Sequence, residues 1–360
     1  MSVSPEAIAA YGLPTAHRLP PSPIEDLQVS TLLAGCESHR VLGLLGSAVR
    51  DGAFPVTGAQ HEEIEGRWQA WLAHAVRVER LLLDVVAALT QAGVRSLVLK
   101  GVALAHNAYL DPGARVFGDV DILVEPGRLH RAAAVVATRF GGERAEPEVR
   151  PGFDDRFGRE VLVRVDPIEV DLHRTFVNGA FGMRIDLEGL FAAPSQVHIG
   201  GQDLDVLAPV DRLLHAAYAT VLSDWPPRLV TARDLAQIVL GSEPDVRAVV
   251  DRAHAWRGEA VLAAGIHHAW RALRITARVP LWDWAQTHPG SRVDRALIGA
   301  SRGPARGYTS QLTSLLAIRG IRPRAEFLRA IALPSPEYRA ARDLGRLGLV
   351  GAGARRARRG

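Results

Sequence analysis

Residues 97–124 read LVLKGVALAHNAYLDPGARVFGDVDILV, and their last part combines an apolar run with two aspartates one residue apart. Side chains alternate between faces along a strand, so a strand here points Asp119 and Asp121 the same way. Two neighbouring carboxylates on an apolar strand repel each other and resist the loss of water. A cation has to relieve that repulsion, and a divalent metal ion is the most economical choice. The alternative is a strand edge that carries two solvated acids.

Lys100 lies nineteen residues before Asp119 and is the only lysine among the 43 basic residues counted as Lys and Arg. A compact ammonium at this point, in a chain that otherwise uses arginine, suits a site for metal and phosphate. The alternative is an exposed charge at the end of a strand.

A second acidic strand is predicted at EVDLH, residues 169–173. The period-two rule places Glu169, Asp171 and His173 on one face. If this strand lies beside 120–124, a third carboxylate joins the first pair, and such a set can hold one or two Mg²⁺ ions with water and substrate phosphates. Either Asp171 or Glu169 could be the ligand at this stage.

Hydrophobic periodicity, with glycine and proline as breaks, predicts the remaining elements. Helices are expected within 26–50 and over 60–92, 101–110, 126–140, 210–222, 228–241, 246–273 and 292–332. Strands are expected over 94–100 and 120–124 and in two hairpins, 159–176 broken at Asp166-Pro167 and 197–209 turning at Gly200-Gly201. Residues 143–158 read as a loop.

The order of these elements predicts an α+β fold with a small mixed sheet flanked by helices on both sides of the sequence. The expected divisions are a poorly ordered N-terminus (1–25), an N-terminal helical region (26–92), an α/β core (93–209), a helical C-terminal domain (210–345) and a basic tail (346–360).

Composition narrows the class of protein. The net charge of +4 among 360 residues does not by itself indicate binding to nucleic acid. The lone Cys36 excludes a disulfide framework and a cysteine zinc cluster. There is no signal peptide pattern and no apolar run long enough to span a membrane. We therefore expect a cytoplasmic protein that does not insert into membranes, with an oligomeric state that the sequence leaves open.

The chain contains, in order, a strand ending in KG, a helix, the motif GDVDILV and a later D-L-H strand. This order of motifs resembles the nucleotidyltransferase superfamily that includes DNA polymerase β. The stretch 97–124 is more closely similar to a family of bacterial nucleotidyltransferases without a settled substrate. EVDLHRTF, LLHAAYA, RLVTARDLAQIVL and the closing LPSPEYR (333–339) are also similar to that family, so the resemblance spans about residues 30–345.

The resemblance implies a nucleotidyltransferase core and a Mg²⁺- or Mn²⁺-dependent transfer of a nucleoside monophosphate from an NTP such as ATP. The implied metal ligands and catalytic residues are Asp119, Asp121 and Asp171. The implied nucleotide-binding residues are Lys100, Gly101, Arg115, Gly118 and His173. The acceptor is open: a small molecule, a peptide or an RNA.

The chain departs from the superfamily at one position. Gly101 is followed by Val102, where a serine that touches phosphate is usual. Lys100, Arg115 or the backbone amides of the following helix would have to replace it. Arg115 in an ordinary salt bridge and His173 as a buried structural histidine are the competing interpretations.

Two other classes of function stay open. One is a catalytically degenerate module that binds nucleotide or a partner on the same fold. The other is an RNA-binding or RNA-modifying protein that uses the arginine-rich tail. Elsewhere, Asp234 is interpreted as an ion-paired packing group, or as an acceptor contact if it faces the cleft.

Overall fold

The computed structural model describes residues 3–303 and 306–343, and a seven-stranded mixed sheet lies in its middle. The strands are β1 (Ser96–Val98), β2 (Asp119–Val124), β3 (Glu143–Arg144), β4 (Glu160–Val165), β5 (Ile168–His173), β6 (Ser195–Ile199) and β7 (Gln202–Val206). Their spatial order is β3-β4-β5-β2-β1-β7-β6, which makes β2 the central strand. The α+β class expected from the sequence is confirmed.

The direction of the strands around β2 decides which residues become neighbours. β2 runs antiparallel to β1 and parallel to β5. β4 and β5 form an antiparallel hairpin around Asp166-Pro167, and β6 and β7 form another around Gly200 and Gly201, which have φ of +56° and +81°. Both predicted hairpins are therefore present.

Helices surround the sheet and form the two ends of the described chain. Before and within the sheet region they are α1 (Pro5–Ala9), α2 (Asp26–Ser38), α3 (Leu42–Arg50), α4 (Gly58–Gln91), α5 (Lys100–Asn107), α6 (Leu129–Phe140), α7 (Phe153–Arg156), α8 (Gly179–Gly182) and α9 (Leu187–Leu190). After the sheet they are α10 (Pro209–Leu222), α11 (Leu229–Ser242), α12 (Val246–Ala255), α13 (Glu259–Ala272), α14 (Pro280–Gln286), α15 (Arg292–Ala300), α16 (Arg306–Thr313), α17 (Ile321–Ala332) and α18 (Pro336–Ala341). Short 3-10 turns lie at Pro112–Ala114 and Ser314–Leu316.

The long helix α4 links the sheet to the helical part. Thr57 and Gln60 form a reciprocal capping box at its start, and Gly93, with φ of +68°, follows its end. Its N-terminal half contributes Ile64 to the helical core, whereas its C-terminal half packs Val78 and further residues against the sheet. The predicted helix over 60–92 is confirmed.

The N-terminal and C-terminal helices share one apolar core. Leu33 and Leu45 lie in the same cluster of buried side chains as Leu214, Leu235 and Ile266. The sheet and one side of α4 and α6 form a second cluster. The N-terminal helices therefore pack together with α10 to α15 as one unit, whereas α17 and α18 belong to a third cluster with α7.

The expectation of a poorly ordered segment over residues 1–25 is wrong for the residues from 3 onward. Ile8 and Ala9 in α1 are fully buried. Arg233 of α11 donates to the backbone oxygens of Ala9 and Tyr11 at 2.9 and 2.5 Å. The prolines and serines of this segment give it no hydrophobic periodicity that would predict a stable structure. Contacts with helices that are distant in sequence stabilise it instead.

Four element boundaries differ from expectation. The stretch 143–158 contains β3 and α7. In α7, Phe153 packs against Phe327 with 5.9 Å between ring centroids. α6 begins at Leu129, after a turn with Gly127 at φ +73°. The predicted helix 246–273 breaks at Gly258, where a Cβ would lie 2.2 Å from the Tyr218 hydroxyl. The segment 292–332 is several helices, and α14 was not predicted.

No helix within 3–303 and 306–343 is both long and apolar enough to cross a membrane. The predicted basic tail, residues 346–360, lies outside the described residues.

Candidate functional site

The parallel pairing of β2 and β5 brings two of the predicted acids together. Asp121 is in register with Asp171, and Asp119 is in register with Glu169. Asp121 is buried, and Asp171 is partly buried. The Glu169 side chain is 53% exposed and lies 3.6 Å from Arg164. Of the two alternatives on β5, the geometry therefore favours Asp171 over Glu169.

Asp121, Asp171 and His173 form a compact group of potential metal ligands. Each offers one ligand atom, and these atoms all lie within 4.8 Å of one another. The group lies on the central strand of the sheet and on its parallel neighbour. Asp119 starts the same strand and shares its face with Asp121, but it is not a member of this group within the described residues.

Two nitrogen-bearing side chains already contact Asp121. The Lys100 ammonium and His173 Nε2 each lie 2.9 Å from Asp121 Oδ1. Burial alone would raise the pKa of Asp121, but the charge of Lys100 and the contact with His173 outweigh burial and hold that pKa well below its usual range. Asp121 is therefore ionised at neutral pH.

Asp171 has the opposite character. Burial, reinforced by the negative charges of Asp121 and Glu160, raises its pKa to about 7 even though His173 acts against the shift. Its Oδ1 atom is buried without a hydrogen-bond partner among the described residues. Buried polar atoms are rarely left unpaired, so this oxygen is available to a ligand that the protein binds.

Lys100 reaches Asp121 because β1 ends beside it. The Leu99 amide donates to the Asp121 carbonyl oxygen at 2.9 Å, and Lys100 is the first residue of α5 rather than the last of a strand. A Cβ on Gly101 would lie 3.2 Å from Phe117 Cβ and 4.0 Å from Asp121 Oδ2. Gly101 therefore lets the start of α5 approach the acidic pair closely. Val102 is buried.

The predicted role of Arg115 in phosphate binding needs correction. Its Nε and Nη2 atoms donate to the two carboxylate oxygens of Asp234 at 2.7 and 2.8 Å, and its Nη1 donates to the Val116 carbonyl at 2.5 Å. Both charged side chains are 5% exposed. All three nitrogens of Arg115 are used inside the protein, so the salt-bridge interpretation holds for Arg115 and the packing interpretation for Asp234.

Arg40 is a site residue that sequence reasoning missed. It lies between α2 and α3 and contacts Asp119 at 3.3 Å. Its backbone has φ of +57°, a conformation that non-glycine residues seldom adopt. No motif or spacing links two residues 79 positions apart, and one arginine among many carries no signal of its own.

Glu160 and Arg159 also border the site. Glu160 Oε2 lies 3.2 Å from His173 Nδ1, within ion-pair distance but without hydrogen-bond alignment, and it is also paired with Arg159. Glu160 is directly opposite His173 in the β4–β5 hairpin. A two-residue turn at Asp166-Pro167 fixes that register, so the sequence contained enough information to find Glu160.

Gly118 lies where α4 passes over the start of β2. His74 Nε2 is 3.1 Å from the Gly118 carbonyl oxygen, and a Cβ on Gly118 would be 3.5 Å from the Trp71 ring. The position is therefore closely covered by two side chains of α4. This places Gly118 beside Asp119, with its carbonyl directed at His74 rather than into the acidic group.

His215 of α10 supplies a neutral wall near the acidic group. Burial and the positive charges of Lys100 and His173 lower its pKa to about 3. Its ring lies 4.5 Å from that of Phe176. This histidine is therefore an uncharged packing group at neutral pH.

The residues present fit a hard divalent cation. Carboxylate oxygens are the ligands that Mg²⁺ and Mn²⁺ prefer. Asp121 is ionised, and the buried Oδ1 of Asp171 has no partner in the described chain. A bound divalent cation would supply the positive charge that now comes from Lys100 and would favour the ionised form of Asp171.

The chain is similar to one protein family and to solved structures. The sequence profile of a family described as uncharacterised nucleotidyltransferases matches residues 25–274. No curated protein matches the chain. Two solved structures are similar. One is an antigenic nucleotidyltransferase-like protein from Paracoccidioides brasiliensis, with 14% identity, 56% of this chain and 93% of that chain covered, and a TM-score of 0.36. The other is the antibiotic-resistance factor ANT(2'')-Ia, with 18% identity, 54% and 99% covered, and a TM-score of 0.34.

The assignment comes from the family match, which spans more than half of the chain and includes β2, β5 and the acids they carry. The chain therefore belongs to the family of uncharacterised nucleotidyltransferases.

Proposed function

We propose that this protein transfers a nucleoside monophosphate from an NTP to an acceptor and releases pyrophosphate, at a Mg²⁺-dependent site formed by Asp119, Asp121 and Asp171. The observation that carries the proposal is the meeting of Asp121 and Asp171 on adjacent parallel strands, with ligand atoms within 4.8 Å, in a chain of this family.

Asp121 and Asp171 are the proposed ligands of the metal nearest the reaction. Asp119 is the proposed additional ligand for a second ion that accompanies the nucleotide. Mg²⁺, or Mn²⁺ in its place, would neutralise phosphate charge and lower the pKa of the attacking hydroxyl. For Asp119 to act in this way, the Arg40 guanidinium has to leave the carboxylate that it contacts at 3.3 Å.

Lys100 and the start of α5 are the proposed binding site for the triphosphate. The first amides of a helix have no partner within the helix, and they attract anions. Lys100 adds a full positive charge at the same place, and its side chain is 31% exposed. Gly101 gives the room for this approach, and Gly118 shapes the start of β2. With Arg115 paired to Asp234, Lys100 and these amides replace the missing serine.

His173 and Asp171 divide the remaining work. His173 lies 2.9 Å from Asp121 Oδ1 and is flanked by Glu160, so it orients the Asp121 carboxylate. Asp171, the proposed metal ligand whose Oδ1 has no partner among the described residues, would also assist removal of the proton from the attacking hydroxyl. The helices after the sheet would hold the acceptor.

A second candidate is a module that binds nucleotide without turnover. One observation favours it: the chain's own cations already contact the two acids of β2, Lys100 on Asp121 and Arg40 on Asp119. A site that is neutral without metal can keep its shape with no ion. The RNA-binding alternative depends on the basic tail, which lies outside the described residues.

The test is incubation of the full-length protein with [α-³²P]NTPs, Mg²⁺ and pools of small-molecule, peptide and RNA acceptors. Asp121→Asn should reduce transfer of label by at least about 100-fold. Asp203→Asn, at an exposed ion pair of β7, is the matched control and should leave transfer unchanged. Labelled product that is equal in wild type and Asp121→Asn would refute the proposal, and tight NTP binding without product across all pools would establish the second candidate instead.

A further inference from the structure

An arginine-lined cavity of about 710 Å³ lies where four parts of the chain meet. α7 contributes Arg156, the turn between α12 and α13 contributes Arg257, and the segment before and within α17 contributes Arg319 and Arg324. Arg184, just after α8, completes the set. A volume of this size is typical of pockets that bind small molecules.

The charge of the lining is one-sided. Five arginines and no aspartate or glutamate line the cavity. Arg156 is paired with Glu326. Within the described residues, the other four arginines have no carboxylate within ion-pair distance: Arg184, Arg257, Arg319 and Arg324. Like charges gathered around one cavity repel each other, so an anion bound there would stabilise the arrangement.

A sixth guanidinium lies directly behind the wall. Arg174 is 7% exposed, and its Nη2 lies 3.3 Å from the sulfur of Met183, which lines the cavity. Its Nε donates to the Gly158 carbonyl at 2.6 Å, and no carboxylate in the described chain pairs with it. Burial lowers the pKa of Arg174 to about 10, so it stays charged at neutral pH. The charge of Asp155 acts on Arg174 only from beyond ion-pair distance, so a ligand anion would add a closer counterion to a costly buried charge.

Part of the lining is apolar. Phe157 and Ile318 belong to a small core that joins α7 to the C-terminal segment, and Met183 packs against that core. The cavity therefore combines apolar side chains with five guanidinium groups. Guanidinium groups bind phosphate oxygens through paired N–H bonds.

From this geometry we infer that the cavity binds a small ligand with two or more phosphate groups. The cavity is distinct from the acidic group on β2 and β5, since none of its lining residues belongs to that group. Half of the lining, from Leu316 to Arg324, lies beyond the segment that matches the family, so this site is not implied by membership of it.

The test is calorimetric titration of the full-length protein with inorganic tripolyphosphate in EDTA. EDTA removes the divalent cation on which triphosphate binding at the proposed transfer site depends, so binding at the acidic group is suppressed. Arg257→Gln with Arg319→Gln should weaken binding at least tenfold, because each guanidinium contributes charge-assisted hydrogen bonds. The control, Arg80→Gln with Arg247→Gln, also removes two positive charges, but from exposed helix surfaces. It should change the affinity for tripolyphosphate less than twofold.

Four results would overturn the inference. The first three are the absence of tripolyphosphate binding to wild type, equal weakening of binding in both double variants, and loss of binding in Lys100→Met. The fourth is that a 20-nucleotide single-stranded RNA binds more tightly than tripolyphosphate and that its binding depends on Arg257 and Arg319. Circular dichroism of each variant checks that it is folded. All these arms measure binding without metal, so they succeed or fail independently of the proposed transfer reaction.

Discussion

Replacing Asp234 with alanine tests the assignment of Arg115 to the core. Asp234 Oδ1 accepts bonds from Arg115 Nε and from the Tyr109 hydroxyl, at 2.7 and 2.8 Å, and Oδ2 accepts from Arg115 Nη2 at 2.8 Å. Burial opposes the charge of Arg115, but Asp234 outweighs burial and raises the pKa of Arg115 above its ordinary value. Asp234→Ala therefore leaves a charged guanidinium in a site with 5% exposure.

The expected loss is large. Removing one partner of a buried ion pair destabilises a protein by about 3–5 kcal/mol, and the stranded Tyr109 hydroxyl adds to it. Native proteins are stable by only about 5–15 kcal/mol, so this one substitution uses up a large part of the total. By contrast, Asp251→Ala breaks an exposed pair at 3.8 Å with Arg247 and should change stability by less than about 0.5 kcal/mol.

Urea unfolding, followed by tryptophan fluorescence and far-UV circular dichroism, measures both variants. Arg115→Met combined with Asp234→Leu should recover most of the loss, because no unpaired charge remains. A loss below about 1 kcal/mol for Asp234→Ala would refute the reasoning. An Arg115→Met variant of normal stability but raised NTP KM would return Arg115 to phosphate binding.

Three further outcomes are expected. Lys100→Met should raise the NTP KM by about tenfold or more with the fold retained, and an unchanged KM in steady-state kinetics would remove Lys100 from the triphosphate site. In EDTA, wild type should lose stability relative to Asp171→Asn as pH rises from about 4 to 7, by up to about 1.4 kcal/mol per pH unit. The unfolded chain releases the Asp171 proton near pH 4 and the folded chain near pH 7, so the folded state binds more protons between these two pH values. Urea midpoints of the two proteins that change in parallel over this pH range would contradict the prediction. Gly182→Ala should lower the thermal midpoint, because its Cβ would lie 1.8 Å from the Val177 carbonyl oxygen. Gly66→Ala in α4 should raise the midpoint slightly, because its Cβ would have nothing within 4 Å. Equal shifts of the two midpoints would show that the backbone at Gly182 adapts.

Local patterns predicted the part of the site that lies on strands. The alternation of D-V-D and E-V-D-L-H placed the acids on shared faces, and the parallel neighbours β2 and β5 bring Asp121 and Asp171 together. That inference needs only the period of a strand and the adjacency of two strands. The choice between Asp171 and Glu169 needed the exposure of each side chain, which only the folded sheet determines.

The cations around these acids were less predictable. The position of Lys100 followed from its place after β1, although the residue opens a helix. Arg40 comes from the loop between α2 and α3, 79 positions from Asp119, and Arg115 is bound to a carboxylate 119 positions away. A chain with so many arginines gives no local signal for which one faces which acid. These contacts depend on how the N-terminal and C-terminal helices share one core.

The arginine cavity illustrates the same limit. Arg156, Arg257 and Arg319 are distant in sequence and line one cavity beside the place where the C-terminal segment packs on α7. Periodicity assigned residues 143–158 to a loop, so the apolar contacts of Phe153 and Phe157 that hold this junction were missed.

The most direct test of the metal site is an anomalous difference map from crystals soaked with Mn²⁺ and a non-hydrolysable NTP. The account predicts a peak in direct contact with carboxylate oxygens of Asp121 and Asp171, at about 2.0–2.2 Å, with the triphosphate beside Lys100. A map with bound nucleotide, no peak between these acids, and Lys100 still on Asp121 would contradict it.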